Sequence, residues 1–223
     1  RSTIVGDPSI PINGLGVPLH FARTIEIEEA VQPHNRVRLL GYVRNGKTKT
    51  YPAATAVIKA STGVRYAIEY MDISDIETGD RILRNAIDGD VALFNRQPTL
   101  TISNISAHTV IVLRDPHSYP IRMNVICTPL YNADFDGDAM NIVFLANESA
   151  RVELRYLSML NNWFMLYTTS GPAMGQVEDG VLGLAEITRD RTRFNRLHAM
   201  RVFSHVRSLP DFDKDEYSGR ELI

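Results

Sequence analysis

Between residues 54 and 146 the chain passes through six short β-branched segments, and no other feature limits its fold as tightly. They read "ATAVIKA", "VRYAIEY", "DVALFNR", "HTVIVLR", "IRMNVICT" and "NIVFLA", with turn residues between them. Segments this short cannot bury an apolar face alone, and few helices intervene to cover them. They must close on one another, so a small barrel or sandwich is expected. Ahead of them, "GDPSIPINGLGVP" gives residues 1–33 the turns and short extended pieces of a Pro- and Gly-rich stretch. "NRVRLLGYVRNG" reads as one short helix with Asn35 as N-cap and Gly46 closing it. After Asn147 the period changes, and "SARVELRYLSMLNNWF" sets Leu154, Leu157, Leu160 and Phe164 on one helical face. "GQVEDGVLGLAEITRD" reads as a second helix whose glycines weaken it. The expected organisation is mainly β with α: a barrel region over 1–147 and a helical segment over 148–223.

Composition narrows the function classes. A 44% hydrophobic, 22% charged chain of 223 residues can bury a real core. Its formal net charge of −2 makes it no polyanion magnet, so nucleic-acid contact would need local basic clusters or partner chains. "RDRTRFNRLHAMR", residues 189–201, is such a cluster, read here as a solvated helix face. The single cysteine, Cys127, lies in an apolar run and can form no internal disulfide, which fits a reducing, intracellular location. No apolar stretch approaches membrane-spanning length and no leader is legible. The ends, "RSTIVGDP" and "SGRELI", look cut, and a piece of something larger is expected.

Against this background "YNADFDGDAMN", residues 131–141, stands out. Asp134, Asp136 and Asp138 recur at every second position, so in an extended or looped chain they point to one side. Gly137 removes a Cβ where the backbone must bend. Three hard oxygen donors suit Mg²⁺ or Ca²⁺, not zinc. An EF-hand loop counted from Asp134 would need glycine at position six and glutamate at position twelve, where Ala139 and Leu145 stand. A solvated acidic turn is the plain alternative, weakened by the buried-looking "NVICTPLY" and "MNIVFLA" on either side. "DFDKDE", residues 211–216, repeats the alternation at Asp211, Asp213 and Asp215 without the glycine or the apolar setting, and reads as a surface loop. His108 precedes an apolar strand and reads as a hydrogen-bonded core residue. His20, His34, His117, His198 and His205 have no metal-ligand spacing.

"YNADFDGDAMN" resembles the NADFDGD signature of the largest subunit of multisubunit DNA-dependent RNA polymerases. "ALFNRQPTL" (92–100), "RSTIVGDPSI", "GVPLHFARTI", "VRNG", "PAMGQVEDGVLG" and "PDFDKDEYSGREL" resemble further segments of that family, in order over nearly the whole chain. The resemblance implies a double-psi β barrel, followed from residue 148 by the start of the pore region. It implies that Asp134, Asp136 and Asp138 hold a catalytic Mg²⁺ for nucleotidyl transfer to the RNA 3′ end, a second Mg²⁺ arriving with the nucleoside triphosphate. Arg96 and Asn132 match positions that contact the incoming nucleotide's sugar. A barrel-surface salt bridge for Arg96 and an Asx-turn for Asn132 are the bland readings. The implied partners are the second-largest subunit and other polymerase subunits, a DNA template, the RNA transcript and triphosphates, with no membrane. The chain departs from the cellular pattern at Thr101, Ile102, Ala139 and "NIVFLAN", which points to a large DNA virus of eukaryotes and to host cytoplasm or nucleus. The chain alone is expected to make no RNA. A metal-stabilised scaffold domain without catalysis is the competing class.

Overall fold

In the computed structural model, residues 1–166, 170–175, 179–203 and 211–222 are described. They fall into two compact units, Arg1–Gly175 and Gln176–Ile223. In the first unit the strands are β1 (Ser2–Gly6), β2 (Gly14–Pro18), β3 (Ile27–Ala30), β4 (Ala54–Ile58), β5 (Arg65–Ala67), β6 (Arg81–Arg84), β7 (Val91–Asn95), β8 (Ile105–Leu113), β9 (Ile121–Met123) and β10 (Ala139–Val143). Its helices are α1 (Leu19–Thr24), α2 (Arg36–Thr48), α3 (Thr128–Tyr131) and α4 (Glu148–Tyr156).

Six strands close into a barrel in the order β1-β10-β7-β8-β2-β9. Two of its pairings are parallel, β1 with β9 and β2 with β8, and the other four are antiparallel. Closure leaves no edge to template a foreign strand. It also explains why β2, "GLGVP", is buried along its whole length despite two glycines. A Cβ on Gly16 would lie 3.0 Å from the Cβ of Arg122 on the neighbouring strand, so the glycine permits a close approach. Leu15, Val17, Phe94, Val110, Ile121, Met123 and Met140 fill the interior, each large side chain contributing about 1.5–3 kcal/mol by leaving water. A barrel is present as expected, but "ATAVIKA" and "VRYAIEY" are not part of it: they supply β4 and β5 of a separate, smaller sheet.

That second sheet has the order β3-β6-β4-β5, all antiparallel. With α2 it encloses its own core of Val31, Leu39, Val43, Val57, Ile68, Ile76 and Ile82. Asn35 does sit at the N-cap of α2, but its amide serves the preceding loop, accepting from Gln32 N at 2.7 Å and donating to Ala30 O at 2.9 Å. Gly46 does not close the helix, which runs on to Thr48 and stops at Lys49 in the left-handed region. Its glycine has another cause: a Cβ there would fall 2.3 Å from Ala54 O, so only a bare Cα lets α2 lie against β4. Arg84, 5% exposed, donates to Asp90 in bidentate fashion at 2.8 and 2.9 Å and to Glu29 at 2.7 Å. The paired geometry offsets the desolvation of a buried guanidinium.

After Asn147 the structure differs from the helical expectation. Asn147 caps α4 by accepting from Ser149 N, but the helix ends at Tyr156. Asn162 Nδ2 donates to the carbonyls of Tyr156 and Leu157, and Ser158 O accepts from Ala107 N of β8 at 2.8 Å. The chain is thereby drawn out along the barrel. Leu154 and Leu160 are buried while Leu157 and Phe164 stay exposed, so the predicted single face is split. A short antiparallel strand pair follows, Met165–Leu166 with Gly171–Pro172.

The second unit is mixed as well. Its described part holds helices Asp179–Ile187 and Arg196–Val202 and a strand pair, Arg193–Asn195 with Glu216–Ser218. Phe194, Ala199, Phe212, Tyr217 and Leu222 form its small core. Arg191, Arg193, Arg196 and Arg201 are exposed around it, and helix begins only at Arg196 within the basic stretch. Residues 176–178 of the second expected helix lie outside the described residues.

Candidate metal centre

The site is built where α3 hands over to β10. Asn124 starts this passage by accepting from Ile126 N, and Thr128 and Pro129 open α3. The helix drives Tyr131 into the barrel interior, fully buried. Asn132 then reverses the chain at φ 48° and ψ 45°, a left-handed conformation that asparagine tolerates. Asp134 to Asp138 form the loop, and β10 enters the barrel between β1 and β7.

Both flanks of the loop are fixed. On the β10 side, Ile4 N donates to Asp138 O at 3.0 Å and Ala139 pairs with Thr3. Phe135 lies over β1 at Gly6, where a Cβ would come 2.9 Å from its ring. Gly137 has φ +130°, which L side chains rarely adopt, so the backbone there needs glycine whatever the surrounding space. On the α3 side, Asn104 Nδ2 donates to Leu130 O, while its Oδ1 accepts from Thr101 N and Thr101 Oγ1. Asn104 thus ties "RQPTLTISN" to the root of the acidic loop.

One carboxylate oxygen from each of Asp134, Asp136 and Asp138 lies within 4.8 Å of the others. Among the described residues this is the single group of three or more acidic, His or Cys side chains that converges. The alternating triplet at 211–215 does not, and Lys214 there pairs with Glu221 instead. In an octahedral Mg²⁺ shell adjacent oxygens are about 2.9 Å apart and opposite ones about 4.1 Å. A closure of under about 2 Å therefore brings all three to adjacent positions. The donors are hard oxygens on exposed or half-buried side chains, so the residues fit the ion.

Electrostatics agree. A hydrogen bond shared with Asp136, slight desolvation and the negative charges of Asp136 and Asp138 raise the Asp134 pKa above the usual carboxylate value. Asp138 is held below it, chiefly by a hydrogen bond from Arg96 Nε at 2.7 Å. The same contact raises the Arg96 pKa. Arg96 follows β7 directly and is oriented by its own N–H to Asn104 O at 3.3 Å. The fold thus brings Arg96 to the triplet by a salt bridge, and it leaves Asn132 exposed at the loop entrance.

Composition and spacing did not reveal the residues behind this geometry. His108, on β8, is fully buried, as a core histidine should be. Its Nδ1 is 3.2 Å from Gly14 O and its Nε2 is 2.6 Å from Tyr131 Oη. A carbonyl only accepts, so Nδ1 carries the proton and Tyr131 donates to Nε2. Burial lowers the His108 pKa to about 4. Phe94 meets both rings edge-on, at 5.7 and 5.6 Å. The available signal was an aromatic residue directly before the acidic motif. Cys127 is buried, its thiol donating to Ile12 O and pushed up to about 12 by burial, so it is no nucleophile.

Comparison with known proteins decides the lineage. The model for RNA polymerase Rpb1, domain 2, matches residues 1–160. The chain belongs to that family. Rpb1 domain 2 is thus the frame for its barrel and acidic loop. Its relatives include the DNA-directed RNA polymerase RPB1 homolog of African swine fever virus, 40% identical over the full chain and 16% of that protein. The DNA-directed RNA polymerase subunit Rpo1N of Halobacterium salinarum is 34% identical over the full chain and 24% of its own length. DNA-directed RNA polymerase subunit 1 of Acanthamoeba polyphaga mimivirus is 32% identical over 98% of the chain and 15% of its own length. The chain therefore spans between about a seventh and a quarter of the length of these relatives.

Proposed function

We propose that this Rpb1 domain 2 chain carries the catalytic centre of a DNA-directed RNA polymerase, with Asp134, Asp136 and Asp138 holding Mg²⁺. The observation that carries this reading is the convergence of three carboxylate oxygens within 4.8 Å on a loop pinned at both ends. A bound Mg²⁺ would make the RNA 3′-hydroxyl a better nucleophile and, with a second ion brought by the triphosphate, offset charge on the leaving pyrophosphate.

The chain's own residues set up the rest. Asp138 keeps its charge because Arg96 donates to it. Arg96 has donors beyond Nε, and in this proposal they reach the incoming sugar while Nε stays on Asp138. Asn132 is exposed and offers one acceptor and two donors, suited to a ribose hydroxyl. The barrel is proposed to be of the double-psi type, which its two parallel and four antiparallel pairings support. Residues 1–147 are proposed as the active-site region and 148–223 as the start of the pore region. Template, transcript and the second-largest subunit are the proposed partners. A net charge of −2 cannot hold a nucleic-acid duplex against counterions, so other subunits supply that grip and the chain alone makes no RNA. The viral relatives support a large DNA virus as source, acting in host cytoplasm or nucleus.

The test is Asp136→Asn in the complete polymerase. It keeps shape and removes one charge, so assembly should persist while RNA synthesis is abolished. Full elongation would refute the assignment and leave the scaffold reading in its place.

A further inference from the structure

We propose that the buried His108–Tyr131 pair is a positioning device that sets the root of the acidic loop, and with it the affinity of the centre for its metal. The inference rests on the metal-binding reading above and adds two residues that touch neither metal nor substrate. Tyr131 is the last fully buried side chain before the loop begins, one residue ahead of Asn132 and three ahead of Asp134. Downstream, the loop is held by strand pairing at Ala139 and by Phe135 on Gly6. Upstream, the anchors are the Asn104 bond to Leu130 O and the Tyr131 hydroxyl, 2.6 Å from His108 Nε2.

That hydroxyl bond does not end at one neighbour. His108 is opposite Ala92 of β7 and 3.2 Å from Gly14 O of β2, so its ring is fixed by two strands besides its own. Phe94 packs edge-on against both rings and stands two residues before Arg96. One buried cluster therefore fixes the strand that delivers Arg96 and the helix end that delivers the aspartates. Arg96 and Asp138 meet at 2.7 Å only if those two deliveries agree. A Tyr131 side chain free to shift changes where the carboxylates converge. The pair has the logic of the outer partners that orient metal ligands, whose loss weakens metal binding about 10- to 100-fold. It acts through the backbone rather than by touching a ligand, so the expected effect is smaller, at or below the low end of that range.

The experiment uses the complete polymerase carrying Tyr131→Phe, His108→Leu or both, titrates Mg²⁺ against elongation rate, and measures Mn²⁺ affinity directly, without nucleotide, from the EPR signal of the free ion, where the same shift is expected. Each single variant should raise the Mg²⁺ concentration for half-maximal rate about three- to tenfold. The KM for triphosphate at saturating Mg²⁺ should stay near wild type. Because the two residues act as a unit, the double variant should be no worse than the worse single. His108→Gln, which keeps an acceptor for Tyr131, should fall closer to wild type than His108→Leu. Leu39→Ala, a buried truncation in α2 within the separate core of the smaller sheet, serves as the control. It should lower Tm with the Mg²⁺ midpoint unchanged. A wild-type midpoint in Tyr131→Phe, or a shift in Leu39→Ala as large, overturns the proposal. If Tyr131→Phe fails to assemble, equal midpoints for His108→Gln and His108→Leu overturn it. Asp136→Asn separates the two levels. If it is inactive while Tyr131→Phe titrates normally, only the positioning role fails; if it elongates normally, the metal reading itself fails.

Discussion

Gly137→Ala isolates the shape of the acidic loop from its charge. All three carboxylates remain, and a Cβ on Gly137 meets nothing within 4 Å, so no clash contributes to the effect. The whole cost is conformational: φ is +130°, and holding an L residue in so sparsely populated a region costs about 1–3 kcal/mol. The loop can relax by rotating φ, but Asp136 and Asp138 flank this residue and their carboxylates would then separate. In either case the strain is restored whenever the productive geometry forms. At about 1.4 kcal/mol per tenfold in rate, the loss in elongation is about 5- to 150-fold. The assay is single-nucleotide addition by the complete polymerase at saturating Mg²⁺, with Gly63→Ala alongside. Gly63 also has positive φ, +67°, with nothing within 4 Å of its Cβ, but it turns the β4–β5 hairpin of the smaller sheet. It should lower Tm and leave the rate alone. Wild-type addition by Gly137→Ala would refute the claim that loop geometry limits the centre. Equal slowing by Gly63→Ala would assign the effect to general destabilisation.

Two further outcomes follow from the same geometry. Asn132→Ser shortens a side chain exposed at the loop entrance and removes donors, so discrimination between ATP and dATP should erode by about tenfold; unchanged selectivity would count against the ribose role. His108 has a folded pKa of about 4 against 6.5, so between those values the unfolded chain binds more protons and stability falls as pH drops from about 6.5 to about 4. That loss is about 3–4 kcal/mol at its ceiling by linkage, and urea midpoints across the window should show a shallower slope in His108→Gln, a result contradicted if the slopes coincide.

The acidic centre was legible because its chemistry is local. Three aspartates at alternate positions and one glycine state both the converging carboxylates and the bend, and no distant residue is needed to read them. Arg96 could be placed near them by motif alone, but its salt bridge to Asp138 depends on closure of a barrel that puts β7 beside β10. The barrel itself was half legible. Strands such as β8 announce themselves by β-branched residues, whereas β2 does not, since "GLGVP" looks like turn; in the smaller sheet β6, "RILR", is likewise only four residues between turn signals. What makes β2 a strand is burial between β8 and β9, a tertiary cause that overrides local propensity. The extended α4 was misread for the opposite reason. Its apolar period continues past Tyr156, but the Ala107 amide of β8 and the Asn162 side chain take the carbonyls and the path that another helical turn would need.

Tyr131 and His108 carry the deepest version of this lesson. Each is unremarkable in its own segment, a tyrosine before a polar run and a histidine before an apolar one. Their meaning lies in a 2.6 Å contact across 23 positions of chain. A buried neutral imidazole with one nitrogen on a carbonyl has one use left for the other, which is to accept. The residue that donates to it is fixed in direction as well as in distance, and here that residue stands at the entrance of the acidic loop. The barrel interior is thus more than a stabilising core. The same side chains that exclude water from it set the angle at which the chain leaves it, and the carboxylates inherit that angle.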